Sequence, residues 1–149
     1  MVYNGEMYLF FTNMWNYIVY RKTSDGTDWD DPVGIGPSEN LKSGTGVGLA
    51  VYQNKLWVAY TTNNNDHNIY LTHMDNLGTW STPVHLLNGA QSDQRPGLAA
   101  GDGKLVMIYK GESNHAIYRA WTTNGTTWFG NTFATGETKH GGPALVYTD

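Results

Sequence analysis

Short runs of aliphatic and aromatic residues, separated by brief polar or glycine-containing stretches, recur along the whole chain. In the segment Lys55-Leu56-Trp57-Val58-Ala59-Tyr60-Thr61 the apolar residues are consecutive, with Gln53-Asn54 before them and Thr62-Asn63-Asn64-Asn65-Asp66 after them. A run this short, rich in aromatic and β-branched types and flanked by turn formers, reads as a β-strand. No stretch sustains the ~3.6-residue spacing of an amphipathic helix.

The runs also repeat. Val2-Tyr3-Asn4-Gly5-Glu6-Met7-Tyr8-Leu9-Phe10-Phe11-Thr12 aligns with the segment from Val51 to Thr61 and with that from Ala100 to Lys110. Ile18, Ile69 and Ile117 open a later strand-like stretch that leads at equal distance to Trp29, Trp80 and Trp128. Gly48-Leu49-Ala50, Gly97-Leu98-Ala99 and Ala144-Leu145-Val146 form a third recurring anchor. These anchors divide the chain into units of about 2–50, 51–99 and 100–146. The middle unit predicts four strands, roughly 47–52, 55–62, 68–74 and 82–87. Its hairpin residues Gln53-Asn54, like Asn4-Gly5 and Asp102-Gly103, accept the positive φ of tight turns.

A tandem four-stranded unit of about 40–50 residues is the pattern of a β-propeller blade. The expected fold is therefore all-β, a β-propeller of four-stranded blades with three blades per chain. Propellers close with about 4–8 blades, and closure removes the unpaired edges that invite aggregation. A six-bladed ring built as a homodimer is the expected solution. Residues 143–148 repeat 47–52 after the third unit and are expected to serve as the closing strand of the partner's first blade.

Composition narrows the partners. With 149 residues, 40% apolar and 15% charged, the chain has the means to build a core. Its net charge of -4 offers no basic footprint, so neither nucleic acid nor an anionic membrane surface is expected as a partner. No apolar run approaches the ~18 residues of a spanning helix, and Met1 leads into strand-like sequence without a leader pattern. The absence of cysteine excludes disulfides and thiolate metal sites and leaves the compartment open, secretion included. His67 and His73 lack metal-ligand spacing, and nothing else in the sequence asks for a metal or cofactor.

Before each recurring tryptophan the chain reads Ser24-Asp25-Gly26-Thr27-Asp28-Trp29, Asp75-Asn76-Leu77-Gly78-Thr79-Trp80 and Thr123-Asn124-Gly125-Thr126-Thr127-Trp128. This resembles the Asp-box, or bacterial neuraminidase repeat, Ser-x-Asp-x-Gly-x-x-Trp, of sialidase-like propellers. The resemblance implies that the turn joins the third and fourth strands on the face away from the active site. It gives Asp25, Asn76 and Asn124 the scaffold role of bonding their own turn, with the tryptophan packed between sheets. In that family catalysis uses an arginine triad, a tyrosine nucleophile with its glutamate, and an acid/base aspartate. Here the arginines are Arg21, Arg95 and Arg119, two of them inside strands, and Arg95-Pro96 lacks the expected context. The missing constellation favours binding over chemistry.

Loops joining second to third strands, and each unit to the next, emerge on one face and are the longest and most polar segments. Their candidate ligand-binding residues are Trp15, Tyr17, Asp66, His67, Asp93, Arg95, Glu112, Asn114, His115 and His140. Amides, carboxylates and imidazoles beside aromatic rings suit sugars, which present hydroxyls and a C–H face. The expected function is multivalent binding of glycans, neutral rather than sialylated because arginines are few. The alternatives are a glycoside hydrolase or sialidase-like enzyme, with Glu39, Asp66, Asp93, Glu112 and Glu137 as its loop carboxylates, and a structural or engineered propeller fragment without a ligand.

Overall fold

The structure, a computed structural model, describes residues 1–86, 89–138 and 141–148, with backbone only at 131–137. The recurring runs fold as β1 (Val2–Tyr3), β2 (Glu6–Thr12), β3 (Ile18–Thr23) and β4 (Val33–Gly34); β5 (Val47–Tyr52), β6 (Lys55–Thr61), β7 (Ile69–Met74) and β8 (Val84–His85); and β9 (Gly97–Gly101), β10 (Lys104–Lys110), β11 (Ala116–Thr122) and β12 (Phe129–Glu137). Each group forms one antiparallel sheet with strands in chain order, here sheets I, II and III. The fold is all-β, and no helix is assigned among the described residues.

The three anticipated hairpins form as two-residue turns with both central φ angles positive: 50° and 80° at Asn4-Gly5, 50° and 55° at Gln53-Asn54, 49° and 67° at Asp102-Gly103. That geometry matches strand twist and closes β1–β2, β5–β6 and β9–β10 in register. The fourth strands of sheets I and II are two residues each, and that of sheet II is shorter than the expected 82–87. Pro32 and Pro83 immediately precede them and cannot donate to a ladder.

Successive sheets stack face to face. Tyr8, Phe10 and Tyr20 of sheet I meet Leu56, Met74 and Trp80 of sheet II, and Ile18 and Ile35 pack with Val58 and Tyr60. The other face of β6 places Trp57 and Ala59, with Ile69 and Leu71, against Leu105, Met107, Tyr109 and Ala120 of sheet III. Strand β6 is thus buried on both faces, which is why its sequence is continuously apolar instead of alternating. The counterpart positions on the outward face of sheet I, Met7 and Leu9, are 38% and 51% exposed.

The innermost strands approach through glycine. A Cβ at Gly48 would stand 2.5 Å from the Pro96 carbonyl oxygen, and one at Gly97 2.8 Å from that of Pro143. Residues 143–148 therefore lie along β9 as β9 lies along β5, without a strand assignment of their own. Tyr147 covers Gly101 where a side chain would stand, and its hydroxyl donates to Asp102 Oδ1 at 2.9 Å. In sheet I the inner position is already held by Met1–Tyr3, since Tyr8 N–H donates to Met1 O at 2.7 Å and β1 pairs with β2. By the repeat, Val146–Thr148 correspond to Met1–Tyr3.

At the hairpin end the Asp-box-like turns are built by side-chain acceptors. Asp25 Oδ1 accepts from the amides of Thr27 and Asp28 at 2.8 and 3.1 Å, and Asn124 Oδ1 from Thr126 and Thr127 at 2.9 and 2.8 Å. In sheet II the acceptor is Asp75, not Asn76: its Oδ1 takes the amides of Leu77 and Thr79, both at 2.9 Å. The shift follows from Met74, which replaces the hydroxyl that Thr23 and Thr122 offer to Gly26 and Gly125, and from the glycine moving to Gly78 with φ 83°. These amide bonds hold the Asp25 carboxyl far below the usual carboxylate range. A group depressed in the folded state stabilises above its unfolded pKa and loses that contribution as pH falls through its folded one. Asp25→Asn, which retains the acceptor as Asn124 does, should leave the neutral-pH melting temperature nearly unchanged and reduce its decline on acidification. Asp25→Ala should lower it at neutral pH; thermal scans across acidic pH test both.

Candidate functional site

At the opposite end of the sheets, one backbone contact recurs in every unit. Ser43 N–H donates to Asn16 O at 3.0 Å, Ser92 N–H to His67 O at 3.0 Å, and Thr138 N–H to His115 O at 3.1 Å. Asn16, His67 and His115 all hold positive φ, of 63°, 45° and 58°. They form the tips of the loops after β2, β6 and β10, each tied to the segment leading toward the next sheet. Asparagine and histidine are among the non-glycine residues enriched in that conformation.

The loops of sheets II and III join through side chains. His67 Nδ1 lies 2.5 Å from Glu112 Oε1, and the two side chains are 36% and 34% exposed. Gln91 braces the pair: its Nε2 donates to Asp66 O at 2.7 Å, while its own carbonyl accepts from Glu112 N–H at 3.2 Å. Asp66 accepts from Thr62 Oγ1 at 2.6 Å, Asn68 N–H at 3.2 Å and Asn64 Nδ2 at 3.0 Å. The bonds from Thr62 and then Asn68 hold its carboxyl below the ordinary range.

Nearer the inner strands, Lys110 is fully buried and its Nζ lies 2.6 Å from Asp93 Oδ1. Burial pushes the Asp93 carboxyl up, but the hydrogen bond and charge of Lys110 outweigh it and hold the group low. In sheet II the corresponding contact joins the hydroxyls of Thr45 and Thr61. Arg95 is exposed and, with Pro96 and Pro143, lines a cavity of about 200 Å³ where the inner strands converge.

Of the residues singled out from sequence, Asp66, His67 and Glu112 thus form one inter-sheet cluster. Asn114 and His115 stand beside Glu112, with Asn114 Nδ2 donating to the Tyr118 hydroxyl at 2.8 Å. Asp93 and Arg95 belong to the inner group. Trp15 and Tyr17 stay on the sheet I loop, Trp15 63% exposed and Tyr17 beneath Lys42 Nζ at 4.3 Å from the ring centroid. His140 lies outside the described residues. Among the described residues, no group of three or more His, Cys, Asp or Glu could hold a metal.

Sequence reasoning missed Lys110, Gln91 and the equivalence of the three loop tips. Lys110 had a visible signal, since it closes the same repeated segment as Thr12 and Thr61. The loop tips had none, because their likeness is one of backbone conformation and carbonyl position.

No family model matches this sequence, and no curated protein does. Among solved structures, the fold is similar to a 1.85 Å crystal structure from Bacteroides ovatus ATCC 8483, described provisionally as a glycoside hydrolase. The TM-score is 0.52 at 19% identity, over 85% of this chain and 46% of that one. This chain therefore spans less than half the length of that neighbour. At such identity the likeness is one of fold alone.

Proposed function

We propose that the chain supplies three blades of a carbohydrate-binding β-propeller whose loop end engages glycans. The observation that carries this reading is the condition of the loop carboxylates. Glycoside hydrolysis needs two carboxyl groups, one kept protonated by a raised pKa. Of the five loop carboxylates, Asp66 and Asp93 are instead held low and Glu112 is committed to His67, while Glu39 is exposed and the Glu137 side chain lies outside the described residues. Fixed acceptors of this kind orient hydroxyl donors rather than transfer protons. The provisional description of the structural neighbour brings carbohydrate into consideration and also sustains the alternative reading, an enzyme.

The loop groups on successive sheets suit several modest contacts with a branched or repeating glycan, whose combined strength exceeds that of each. On a glycan array, Trp15→Ala and His67→Ala should each weaken binding by roughly ten-fold, or about 1.4 kcal/mol. Retention of full binding by both variants removes the loop end from the site. Turnover of fluorogenic glycosides by the unaltered chain selects the enzyme reading. For the proposed ring, a second copy covering the open faces of sheets I and III should give a particle of two chain masses in light scattering. One chain mass rejects that pairing.

A further inference from the structure

Between sheets II and III, at the hairpin end and open toward the outer strands, lies a cavity of about 290 Å³. Its walls are Trp57, His73 and Trp128 with the aliphatic Leu71 and Val84; Thr82 and Thr126 are exposed at the mouth, and Ser81, whose hydroxyl accepts from His73 N–H at 3.0 Å, stands beside them. The volume is near the lower bound of about 300 Å³ for small-molecule clefts, enough for one sugar ring and not for an extended chain.

The lining has a consistent chemistry. The Trp57 N–H is already engaged, donating to Tyr52 O at 3.2 Å, so the indole presents carbon surface to the cleft. His73 packs edgewise on it with centroids 4.6 Å apart, and burial holds the imidazole below its ordinary pKa, hence neutral at neutral pH. Gly125 lets the Asp-box-like turn press against Trp57, since a Cβ there would stand 2.8 Å from Cζ2. No Asp, Glu, Lys or Arg is among the lining residues described. A charged ligand would lose its hydration without a counter-charge.

The fold does not require this space to be empty. At the junction of sheets I and II the places of Trp57 and His73 belong to Tyr8 and Lys22. There Lys22 Nζ bonds both Glu6 carboxylate oxygens at 3.0 Å, and the Tyr8 hydroxyl donates to the same carboxylate at 3.3 Å. One junction carries an ion pair at these places; its neighbour keeps two tryptophans around a pocket with the Thr82 and Thr126 hydroxyls at its mouth. Aromatic faces with hydroxyl groups at the rim match the two surfaces of a pyranose.

We propose that the Trp57–His73–Trp128 cleft between sheets II and III binds a single neutral pyranose ring. The ligand class is shared with the reading of the loop end, but the site is separate, so the two stand or fall apart. The test titrates the ¹⁵N-labelled chain with methyl glycosides of glucose, galactose, mannose and N-acetylglucosamine, and with methyl glucuronide as the charged counterpart. Indole N–H resonances are the readout. The Trp57 and Trp128 resonances should move with at least one neutral glycoside and not with the glucuronide. Thr82→Trp, which fills the mouth from an exposed position, should weaken that response roughly ten-fold, while Trp15→Ala leaves it intact. Three results overturn the proposal: no response to any neutral glycoside, an equal response in a folded Thr82→Trp chain, or loss of the response in Trp15→Ala, which would assign the sugar to the loops.

Discussion

Asp93→Ala is expected to cost about 3 kcal/mol and to lower the melting temperature by roughly 6–12 °C. The reason lies with the partner. Lys110 is buried completely, and removing the carboxylate 2.6 Å from it leaves an ammonium in the interior without compensation. Breaking such a pair costs about 3–5 kcal/mol; the lower end applies because Asp93 is 38% exposed and water can take part of its place. Replacing both members, Asp93→Ala with Lys110→Met, should recover most of the loss, since an apolar side chain of similar length needs no counter-charge. The Asp93 carboxyl is depressed in the folded state, so its contribution is present above the unfolded carboxylate pKa and is lost as pH falls through the folded one. The gap between wild type and Asp93→Ala should therefore narrow in acid. Urea denaturation at neutral and acidic pH measures all three quantities; a single variant within about 0.5 kcal/mol of wild type would remove the pair from the stabilising interactions.

Gly48→Ala should be of similar size, about 3 kcal/mol, though it adds only one methyl group. Overpacking is tolerated where a flexible side chain can retreat, and here the obstruction is backbone. The added Cβ would meet Pro96 O at 2.5 Å and Leu98 N at 3.2 Å, so β5 and β9 would have to separate. Gly5→Ala is the control. Nothing lies within 4 Å of its Cβ position, and its φ of 80° costs an alanine only local strain, about 1 kcal/mol. Equal stability of the Gly48 and Gly5 variants in chemical denaturation would show that the inner strands do not depend on close backbone approach.

The strand pattern was legible because each element carries its own signal. Continuous apolar residues from Leu56 to Tyr60 announced a strand, though not that both its faces are buried, and Asn4-Gly5 and Asp102-Gly103 announced tight hairpins. The fourth strand of the middle unit is shorter than the expected 82–87 because Pro83 stops a ladder that the hydrophobic pattern alone extends. The acceptor of the Asp-box-like turn in the second unit was misjudged by one residue: side-chain acceptors follow whichever Asx faces the turn amides, and Met74 in place of a threonine changed which one does. Site residues were legible as types and not as partnerships. That Glu112 meets His67 depends on how far sheets II and III rotate against each other, which no local spacing encodes. The Trp57–His73 cleft was invisible for the same reason, being an absence between two sheets whose strands look complete in sequence.

Strand β6, enclosed on both sides, sets the order in which the molecule comes apart. Among the described residues the sheets pack in sequence along one chain, so within a single chain cooperativity runs along the stack, and the outer sheets can open while the middle one persists. Amide protons of β6, where one strand gathers two cores at once, should be the last to exchange with solvent.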